Sequence, residues 1–385
     1  MLKGAALEGE TGYRICTRCI MDTTDPDIQF DEDGVCSNCR RFEEQLRVRL
    51  VAPDDRERVL SQLVDKIRKE GSGKDYDCLL GVSGGTDSTY LALMAKRLGL
   101  RPLAVHFDNG WNSEQAVGNI ERTLKKLGID LFTHVVDWEE YRDLQLSFLR
   151  ASTPDAEIPT DHGIISLLYS VAAKHRIRYI LDGTNFAAEG LGPQTAWAYG
   201  HLDWRYIRGI HRRFGSAPLK TYPHMGLPKL ASHIFLRRIA FVSLLNYMAF
   251  RKEDAVAQLE GELAWENYGG KHCESIYTRF FQSYILPRKF HIDKRRCHLS
   301  SLLVSSGEIS REEALNQVRK PPFPPETLRE DREYVVKKLC IDEEEFERIM
   351  ALPIRSFHDY KNSYAFYLAK NRFLAWTRRS GLSHK

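Results

Sequence analysis

The segment Ser83–Ser88 holds two adjacent glycines, three hydroxyl groups and one carboxylate, and it follows an apolar run that predicts a buried strand. Adjacent glycines let the backbone turn tightly and approach an anion. A helix that begins near Asp87 would present free N–H groups and the positive end of its dipole. The hydroxyls can donate to phosphate oxygens, and Asp87 can hold Mg²⁺ beside them. We therefore predict a loop that binds the pyrophosphate of ATP, with the residues Ser83, Gly84, Gly85, Thr86, Asp87 and Ser88.

An ordinary turn between a strand and a helix is the alternative for these residues, because Ser-Gly-Gly gives a bend and Asp or Thr can cap a helix. The lysine of a Walker loop is absent, since Gly84-Gly85 is followed by Thr86. Taken together, the strand, the pattern Ser-Gly-Gly-x-Asp-Ser and the helix resemble the PP-loop signature of ATP pyrophosphatases. Residues 83–88 are called the PP-loop below.

Two further predicted strands end in polar residues, one at Asp108 and the other at Asp182. Ligands of parallel α/β sheets bind beyond the carboxyl ends of the strands, so we expect these residues beside the PP-loop. Each of them alone could equally be the polar cap of a loop. The predicted adenylate-binding residues are Asp108, Gly183, Thr184 and Asn185, and the candidate magnesium ligands that accompany Asp87 are Asp182 and Glu189.

Four cysteines, Cys16, Cys19, Cys36 and Cys39, form the pattern C-x2-C-x16-C-x2-C. This spacing predicts a tetrahedral zinc site. Four thiolates leave no open position for water, so the expected role of the zinc is to hold the segment folded. An iron–sulfur cluster is the alternative for the same ligands.

The order of patterns along the chain predicts an α/β fold. Short apolar runs at 78–82, 102–107, 131–136 and 179–182 alternate with helical patterns, which indicates a parallel sheet covered by helices on both faces. Beyond about residue 255 the pattern is predominantly helical. We predict three regions: a four-cysteine zinc-binding module (residues 1–50), a PP-loop ATP pyrophosphatase domain (51–260) and a helical C-terminal region that completes the substrate site (261–385).

Charge is nearly balanced over the 385 residues, with 56 basic and 52 acidic side chains and a net charge of +4. This balance by itself indicates no polyanionic partner. Residues 204–252 nevertheless contain no acidic residue, which predicts a positive local field. The most apolar stretch, Ile239–Phe250, is too short to span a bilayer and is predicted to be a core helix. Met1–Arg14 lacks a signal-peptide pattern, so we expect a cytoplasmic location.

Two basic segments lie in the C-terminal region, at residues 269–275 and 289–300. Their cations could neutralise the leaving pyrophosphate or bind an acidic substrate, because Arg binds phosphate and carboxylate groups bidentately. A solvated helix face is the alternative. Together with Asp87, the predicted catalytic residues are Lys271, Arg295 and Arg296.

The cysteine cluster, the PP-loop and residues 182–185, 271–274 and 292–300 together resemble the N-acetyl sugar amidotransferase family of bacterial surface-polysaccharide pathways. The resemblance covers nearly the whole chain. It implies an adenine nucleotide alpha hydrolase-like fold with a zinc-ribbon-like N-terminal module, and ATP, Mg²⁺ and Zn²⁺ as cofactors. The implied reaction converts the acetamido group of a UDP- or CMP-linked sugar into an acetamidino group in lipopolysaccharide or O-antigen biosynthesis.

The source of ammonia is expected to be another chain. Position 2 is Leu, so an N-terminal cysteine glutaminase is absent, and no nucleophile-elbow cysteine domain is recognisable. The resemblance implies separate glutaminase and ammonia-channel subunits similar to those of imidazole glycerol phosphate synthase.

Two other functions fit parts of the sequence. A PP-loop enzyme that thiolates tRNA could use the acid-free residues 204–252, with their interspersed aromatic side chains, to bind RNA. However, no cysteine pair lies near or after the PP-loop, and the overall charge is low for an RNA-binding protein. A nucleotide-binding scaffold without turnover is disfavoured because Ser83, Asp87 and Ser88 are all present.

Overall fold

A computed structural model describes residues 12–193, 195–267 and 273–369. Its centre is a parallel sheet formed by β1 (Cys78–Gly81), β2 (Pro102–Asp108), β3 (Asp130–Val135), β4 (Tyr179–Asp182) and β5 (Ala240–Ser243). The strand order is β3-β2-β1-β4-β5. All four neighbouring pairs are parallel. The predicted parallel α/β class is confirmed.

The central strands are buried on both faces, which explains why their sequences are continuously apolar. Leu79 of β1 faces one hydrophobic core together with Val105 and Phe107 of β2. Its neighbours Cys78 and Leu80 face a second core on the opposite side of the sheet. The alternation of side chains along a strand therefore distributes one apolar run between two layers of helices.

Helices cover both faces of the sheet and form most of the C-terminal region. No helix among the described residues is long and apolar enough to cross a membrane. Residues 232–236 and 281–290 extend two of the helices with wider π-type turns, and 3₁₀ turns occupy 53–55, 244–247 and 357–359. The helices are α1 (Ser37–Arg49), α2 (Arg56–Gly71), α3 (Thr86–Arg97), α4 (Glu114–Leu127), α5 (Trp138–Ala151), α6 (Ile158–Lys174), α7 (Phe186–Glu189), α8 (Trp204–Phe214), α9 (Leu227–Ala231), α10 (Lys252–Leu263), α11 (Ile276–Phe280), α12 (Arg295–Ser305), α13 (Arg311–Arg319), α14 (Pro325–Lys338) and α15 (Glu343–Ala351).

Helix α6 lies directly on the sheet, with its first turns at the carboxyl ends of the strands. A Cβ atom at Gly163 would lie 2.7 Å from the ring of Phe107, near the end of β2, so only a glycine allows this contact. The helix begins at Ile158, with Pro159 in its first turn, where the missing N–H of proline costs nothing.

The prediction of a core helix at Ile239–Phe250 is wrong. Residues 240–243 form strand β5, which pairs in parallel with β4, and the next four residues form a 3₁₀ turn. The backbone N–H of Ala240 donates to Arg178 O at 2.8 Å. A short apolar run has no period that separates a strand from a helix, and here the open edge of β4 supplies the hydrogen-bond partners.

The N-terminal cysteine segment packs against the C-terminal helices. The guanidinium group of Arg311 in α13 donates to the backbone oxygens of Cys16 at 2.8 Å and Cys19 at 3.1 Å. The N–H of Ile20 donates to Ser300 Oγ in α12 at 3.2 Å. Segments nearly 300 positions apart in sequence therefore share one interface. The division of the chain into three regions stays a prediction. Contacts of this kind join the first predicted region (1–50) to the third (261–385).

Replacement of Arg311 by alanine is expected to lower the free energy of unfolding by about 1.5–3 kcal/mol, because hydrogen bonds from a charged donor contribute about this much. The carbonyl oxygens of Cys16 and Cys19 lose that donor. Urea unfolding measures the loss, and the rate of zinc release to a chromophoric chelator should rise. The control is Arg348→Ala, which removes an exposed ion pair with Glu344 on α15. Equal effects of the two substitutions would contradict the assigned contact.

Candidate functional site

The PP-loop turns at Gly84, where the backbone takes a positive φ of 79°. A Cβ atom at this position would lie 2.9 Å from Ala116 Cα, and closer still to the carbonyl oxygen of that residue. Ala116 is in the first turn of α4, which packs tightly on the loop. Both the left-handed conformation and the lack of space therefore require glycine at position 84.

The carbonyl oxygen of Gly84 points into the protein. It accepts a hydrogen bond from Trp265 Nε1 at 3.0 Å and one from Asn119 Nδ2 at 3.4 Å. In a trans peptide the N–H lies opposite the carbonyl, so the N–H of Gly85 points the other way and donates to Ser83 Oγ at 3.3 Å. The orientation of this peptide is therefore set from behind the loop.

The hydroxyl groups of Ser83 and Ser88 lie 3.2 Å apart at the start of α3. This helix begins directly after Gly85 and has no side-chain cap. The first N–H groups of such a helix have no partner within the helix, and with the helix dipole they form a site for an anion. These features of the PP-loop suit the binding of a phosphate group.

The loop after β4 lies against the PP-loop. A Cβ atom at Gly183 would lie 3.1 Å from the carbonyl carbon of Asp87, so a side chain at position 183 would require the PP-loop to shift by a few tenths of an ångström. Strands β1 and β4 are neighbours, and the chain order reverses between them. Ligands of open α/β sheets bind at such a switch point. The structure thus brings together Asp87 and the loop that carries Asp182 and Thr184, which were predicted from separate motifs.

Two side chains in the loop that follows β4 already accept hydrogen bonds from other groups of the protein. Asp182 Oδ1 accepts from the N–H of Thr184 at 2.9 Å, and Oδ2 accepts from Ser243 Oγ at 3.1 Å. Asn185 caps α7, its side-chain oxygen accepting from Ala187 N at 3.1 Å. Thr184 is exposed. Thr184 is therefore well placed to meet a ligand, whereas the side chain of Asn185 shapes the loop.

Asp108, at the end of β2, belongs to a chain of hydrogen bonds that leads back to the PP-loop. Its Oδ1 accepts from Asn112 Nδ2 at 3.3 Å, and the same amide lies 3.1 Å from His106 Nε2. His106 Nδ1 lies 2.9 Å from the oxygen of Val82, which can only accept. The proton of His106 is therefore on Nδ1, and Nε2 accepts from Asn112. This chain links Asp108 to the residue that precedes the PP-loop.

The four cysteine sulfurs fit a single tetrahedral metal ion. All four lie within 4.8 Å of one another, with Cys16 and Cys39 at 3.9 Å and Cys19 and Cys36 at 3.7 Å. Zinc–sulfur bonds of about 2.3 Å in a tetrahedron separate the sulfurs by about 3.8 Å. A multi-iron cluster would hold them farther apart. Zinc would be held by all four residues, would leave no open coordination position, and would stabilise the fold.

The predicted magnesium ligands do not form a comparable group. Within residues 12–193, 195–267 and 273–369, the four cysteines are the only group in which three or more potential metal-ligand atoms lie within 4.8 Å of one another. Mg²⁺ bound to a nucleotide usually takes one or two carboxylates and completes its shell with phosphates and water. Asp87 and Asp182 on adjacent loops suit that arrangement. Glu189, at the end of α7, stays a prediction.

The predicted catalytic arginines make contacts within the protein. Arg295 forms an ion pair with Asp293 at 2.6 Å and donates to Val318 O at 3.1 Å. Arg296 is buried, donates to Ile20 O at 2.7 Å, and pairs with Asp22 at 3.2 Å. Contact with pyrophosphate or substrate would require these interactions to be exchanged, so the observed contacts support a structural role. Lys271 lies outside the described residues.

A further charged group was not predicted from the sequence. Asp155, Glu157 and Asp161 surround the start of α6, and Lys294 approaches them from the start of α12, with its Nζ 3.5 Å from Glu157 Oε2. These four residues are called the carboxylate–lysine cluster. Burial, opposed by the charge of Lys294, raises the pKa of Asp155 to about 6. Burial and the neighbouring carboxylates raise the pKa of Asp161 to about 8.

The cluster lies at the carboxyl edge of the sheet. Asp161 is exposed in the first turn of α6, whereas Asp155 and Glu157 are buried. The adjacent Thr160 accepts from Asn109 Nδ2 at 3.4 Å, and Asn109 follows Asp108 at the end of β2. In the sequence these residues resemble an ordinary polar loop, because Lys294 lies about 140 positions away from them.

Replacement of Gly84 by alanine is expected to abolish ATP binding and to destabilise the fold by about 1–3 kcal/mol, because the new methyl group meets the backbone of α4 and the positive φ is strained. Isothermal titration with ATP and urea unfolding measure the two effects. Gly261→Ala is the control, because a Cβ atom there meets nothing within 4 Å in helix α10. Unchanged ATP binding by Gly84→Ala would exclude the loop as the nucleotide site.

Metal analysis of protein purified without oxygen is expected to give about one zinc per chain and no visible iron–sulfur absorbance. Cys36→Ser should lower the zinc content and destabilise the N-terminal segment, because one of four ligands is lost. Stoichiometric iron and sulfide would refute the zinc assignment.

Matches to known proteins cover different parts of the chain. A family model described as "LPS biosynthesis protein WbpG-like, C-terminal domain" matches residues 274–373. The uncharacterized protein MJ1599 of Methanocaldococcus jannaschii is 23% identical over 330 residues, which are 82% of this chain and 97% of that protein. A glutamine-hydrolyzing GMP synthase of Thermus thermophilus is 42% identical over 84 residues, which are 22% of this chain and 16% of the synthase.

Among solved structures, the NH3-dependent NAD synthetase of Campylobacter jejuni aligns with 54% of this chain and 84% of its own, at 15% identity and a TM-score of 0.29. A score this low supports no inference about fold or function. The family match is more specific, because it covers the end of the chain from Glu274 through helices α11 to α15. Residues 274–373 of this chain are therefore similar to the WbpG-like C-terminal domain.

Proposed function

We propose that this protein is an ATP-dependent amidotransferase of bacterial surface-glycan biosynthesis. The reaction would adenylate the acetamido oxygen of a nucleotide-linked N-acetyl sugar and then replace AMP by ammonia, giving an acetamidino sugar. The observation that carries the proposal is the match of residues 274–373 to the WbpG-like domain, on a chain whose PP-loop leads into the uncapped N-terminus of α3.

Contacts between the two parts of the chain support a shared site. The N–H of Ser113, which caps α4, donates to the oxygen of Glu274 at 2.8 Å, and the N–H of Ile276 donates to Trp111 O at 2.9 Å. The first residues of the WbpG-like domain thus lie beside the loop that follows β2. A substrate bound by this domain would be close to the carboxyl edge of the sheet, where the PP-loop lies.

The chemistry requires activation because an amide oxygen is a poor leaving group. The oxygen would attack the α-phosphorus of ATP, and pyrophosphate would leave. Ammonia would then form a bond to the imidate carbon, AMP would leave with the former amide oxygen, and one proton would be released. Ser83, Ser88 and the N-terminus of α3 would bind the pyrophosphate charge, and Mg²⁺ at Asp87 would neutralise phosphate charge.

The ammonia would come from a separate glutaminase through a channel subunit, in an arrangement resembling imidazole glycerol phosphate synthase. One relative is described as a glutamine-hydrolyzing GMP synthase, which is compatible with an ammonia-using reaction. Purified chain should therefore turn over with ammonium but not with glutamine. Undiminished activity with glutamine in the absence of any partner would contradict the proposal.

Thiolation of tRNA is the competing function, and three aromatic residues of the acid-free segment that could stack bases are engaged within the protein. Tyr206 and Tyr222 are buried, and Trp204 stacks on His224 with ring centroids 4.3 Å apart. These rings are therefore not exposed platforms for bases. The exposed arginines of α8 remain available to any anionic substrate, including a nucleotide sugar.

The deciding assay measures AMP and pyrophosphate release from ATP with ammonium, in the presence of UDP- or CMP-linked N-acetyl sugars or of bulk tRNA. Sugar-dependent release, with a loss of about one mass unit as oxygen becomes NH, is the expected result. Release that depends on tRNA instead would assign the protein to RNA modification.

Asp87→Ala is expected to abolish sugar-dependent pyrophosphate release while leaving the zinc content unchanged, since Asp87 lies in the PP-loop and not near the cysteines. Asp87→Asn is the closer variant, because it keeps the shape of the side chain that packs on Gly183 and removes only the charge. AMP formation at the wild-type rate by either variant would refute the assigned metal role.

A further inference from the structure

We infer that an exposed apolar turn beside β5, together with the cations next to it, is a surface that attaches the protein peripherally to membranes containing anionic lipid. The turn consists of residues 234–236 and is called the apolar tip. Its basic neighbours Lys229, Arg237 and Arg238 are called the basic rim. The proposed amidotransferase chemistry does not use this part of the chain.

The apolar tip exposes three large hydrophobic side chains in a row. The exposed fractions are 39% for Ile234, 75% for Phe235 and 80% for Leu236. Successive residues of α- and π-type helical turns point about 80–100° apart, so a turn with three exposed neighbours stands out from the protein surface. A contiguous apolar projection of this kind indicates a surface that binds a partner or a membrane.

The tip lies at a reversal of the chain and is fixed to the body of the protein from below. After the π-type turn at residues 232–236, Arg238 takes a left-handed backbone conformation with a φ of 55°, and Ile239 returns to the interior. The N–H of Ile239 donates to His233 O at 3.0 Å. The buried ring of His233 stacks on Tyr169 of α6, with ring centroids 5.5 Å apart. Buried contacts therefore hold the tip in its projecting position.

The basic rim places positive charge beside the tip. Lys229, Arg237 and Arg238 are exposed, and none of them forms an ion pair among the described residues. The guanidinium group of Arg237 donates to Ala173 O at 3.2 Å, which fixes that cation in place. Burial lowers the pKa of His233, and the charges of Lys229 and Arg237 lower it further, so both cations lie near the base of the tip. The surface therefore complements an anionic partner.

An anionic lipid surface fits this arrangement better than an acidic protein does. Stable protein interfaces involve about 20–30 residues on each partner, whereas the tip is a projection of three consecutive residues. In the interfacial region of a bilayer, the apolar side chains would contact acyl chains, and the arginines that follow directly would lie at the level of the lipid phosphates. The surrounding residues 204–252 contain no carboxylate side chain that anionic headgroups would repel.

A second copy of this chain and an ammonia-supplying subunit fit the surface less well. Two-fold symmetric contact through the tip would bring Arg237 and Arg238 of both copies together, which is repulsive. The tip also lies at the amino edge of the sheet, because it immediately precedes β5 and all the strands are parallel. A subunit that delivers ammonia would have to reach the carboxyl edge, where the PP-loop lies. Attachment through the amino edge leaves the PP-loop open to nucleotides in solution.

The experiment measures sedimentation of the full chain with vesicles of phosphatidylcholine, prepared with or without phosphatidylglycerol. Wild type should bind the vesicles that contain phosphatidylglycerol and should not bind phosphatidylcholine alone. Phe235→Ser is expected to weaken binding about tenfold or more, because the bilayer loses contact with one aromatic ring. Val48→Ser is the matched control, since Val48 is an apolar side chain of α1 with a comparable exposure of 85%.

The basic rim is tested with a double variant that carries Arg237→Gln and Arg238→Gln. Binding should weaken about fivefold for each arginine removed, and added salt should weaken binding of wild type more than that of the variant. The control carries Lys125→Gln and Lys126→Gln, which remove two exposed cations from α4 and change the net charge equally. Equal weakening by the two double variants would show a response to net charge alone and would overturn the assigned surface.

Measurements without lipid show whether the variants are folded. Thermal unfolding, zinc content and ATP binding should be unchanged in Phe235→Ser, because this side chain is exposed and lies at the edge of the sheet opposite the PP-loop. Vesicle binding that Phe235→Ser leaves undiminished, equal binding to both kinds of vesicle, or no binding by wild type would each exclude the membrane surface.

Two further results would assign the surface to another partner if wild type does not bind vesicles. Binding to polyglutamate that requires Arg237 and Arg238 would indicate an acidic protein. Self-association in sedimentation velocity that Phe235→Ser abolishes would indicate a second copy of the chain. Either result would overturn the membrane proposal and leave the proposed amidotransferase function intact.

Discussion

The inward-facing carbonyl of Gly84 is the constraint on which the site depends. Hydrogen bonds from Trp265 and Asn119 hold it, and the start of α4 leaves no space for a side chain. Because the peptide is planar, fixing the carbonyl also fixes the direction of the next N–H group. The loop is thereby preorganised for an anion before any ligand arrives, which reduces the reorganisation that binding requires. Trp265, which follows α10, makes a late part of the chain responsible for this orientation.

The parallel sheet then determines what surrounds the loop. Its strands all end at one edge, so residues from β1, β2 and β4 meet there although about 100 positions separate them. Gly183, after β4, lies against Asp87 in this way. The same edge also receives the first turn of α6. The site is therefore built mainly from loops whose positions are set by buried strands, a common way to hold polar groups on a rigid support.

The cysteine module contributes through structure. Arg296 and Arg311 tie its backbone to α12 and α13, and Lys294 immediately precedes α12. Loss of the metal would therefore loosen the start of α12, where Lys294 pairs with Glu157. The N-terminus of α3 favours anions, whereas the start of α6 carries three acidic residues, one of which, Glu157, pairs with Lys294.

Features that depend on local pattern could be predicted from the amino-acid sequence. The PP-loop, the cysteine spacing and four of the five strands follow from glycine geometry, ligand spacing and apolar runs of a few residues. Whether residues 240–243 form a strand depends instead on the open edge of β4, which belongs to the folded chain. Folding likewise places Arg296 against the cysteine module and brings Lys294 within 3.5 Å of Glu157. Contacts between residues distant in sequence leave no periodic signal, and their energies depend on burial that no single segment specifies.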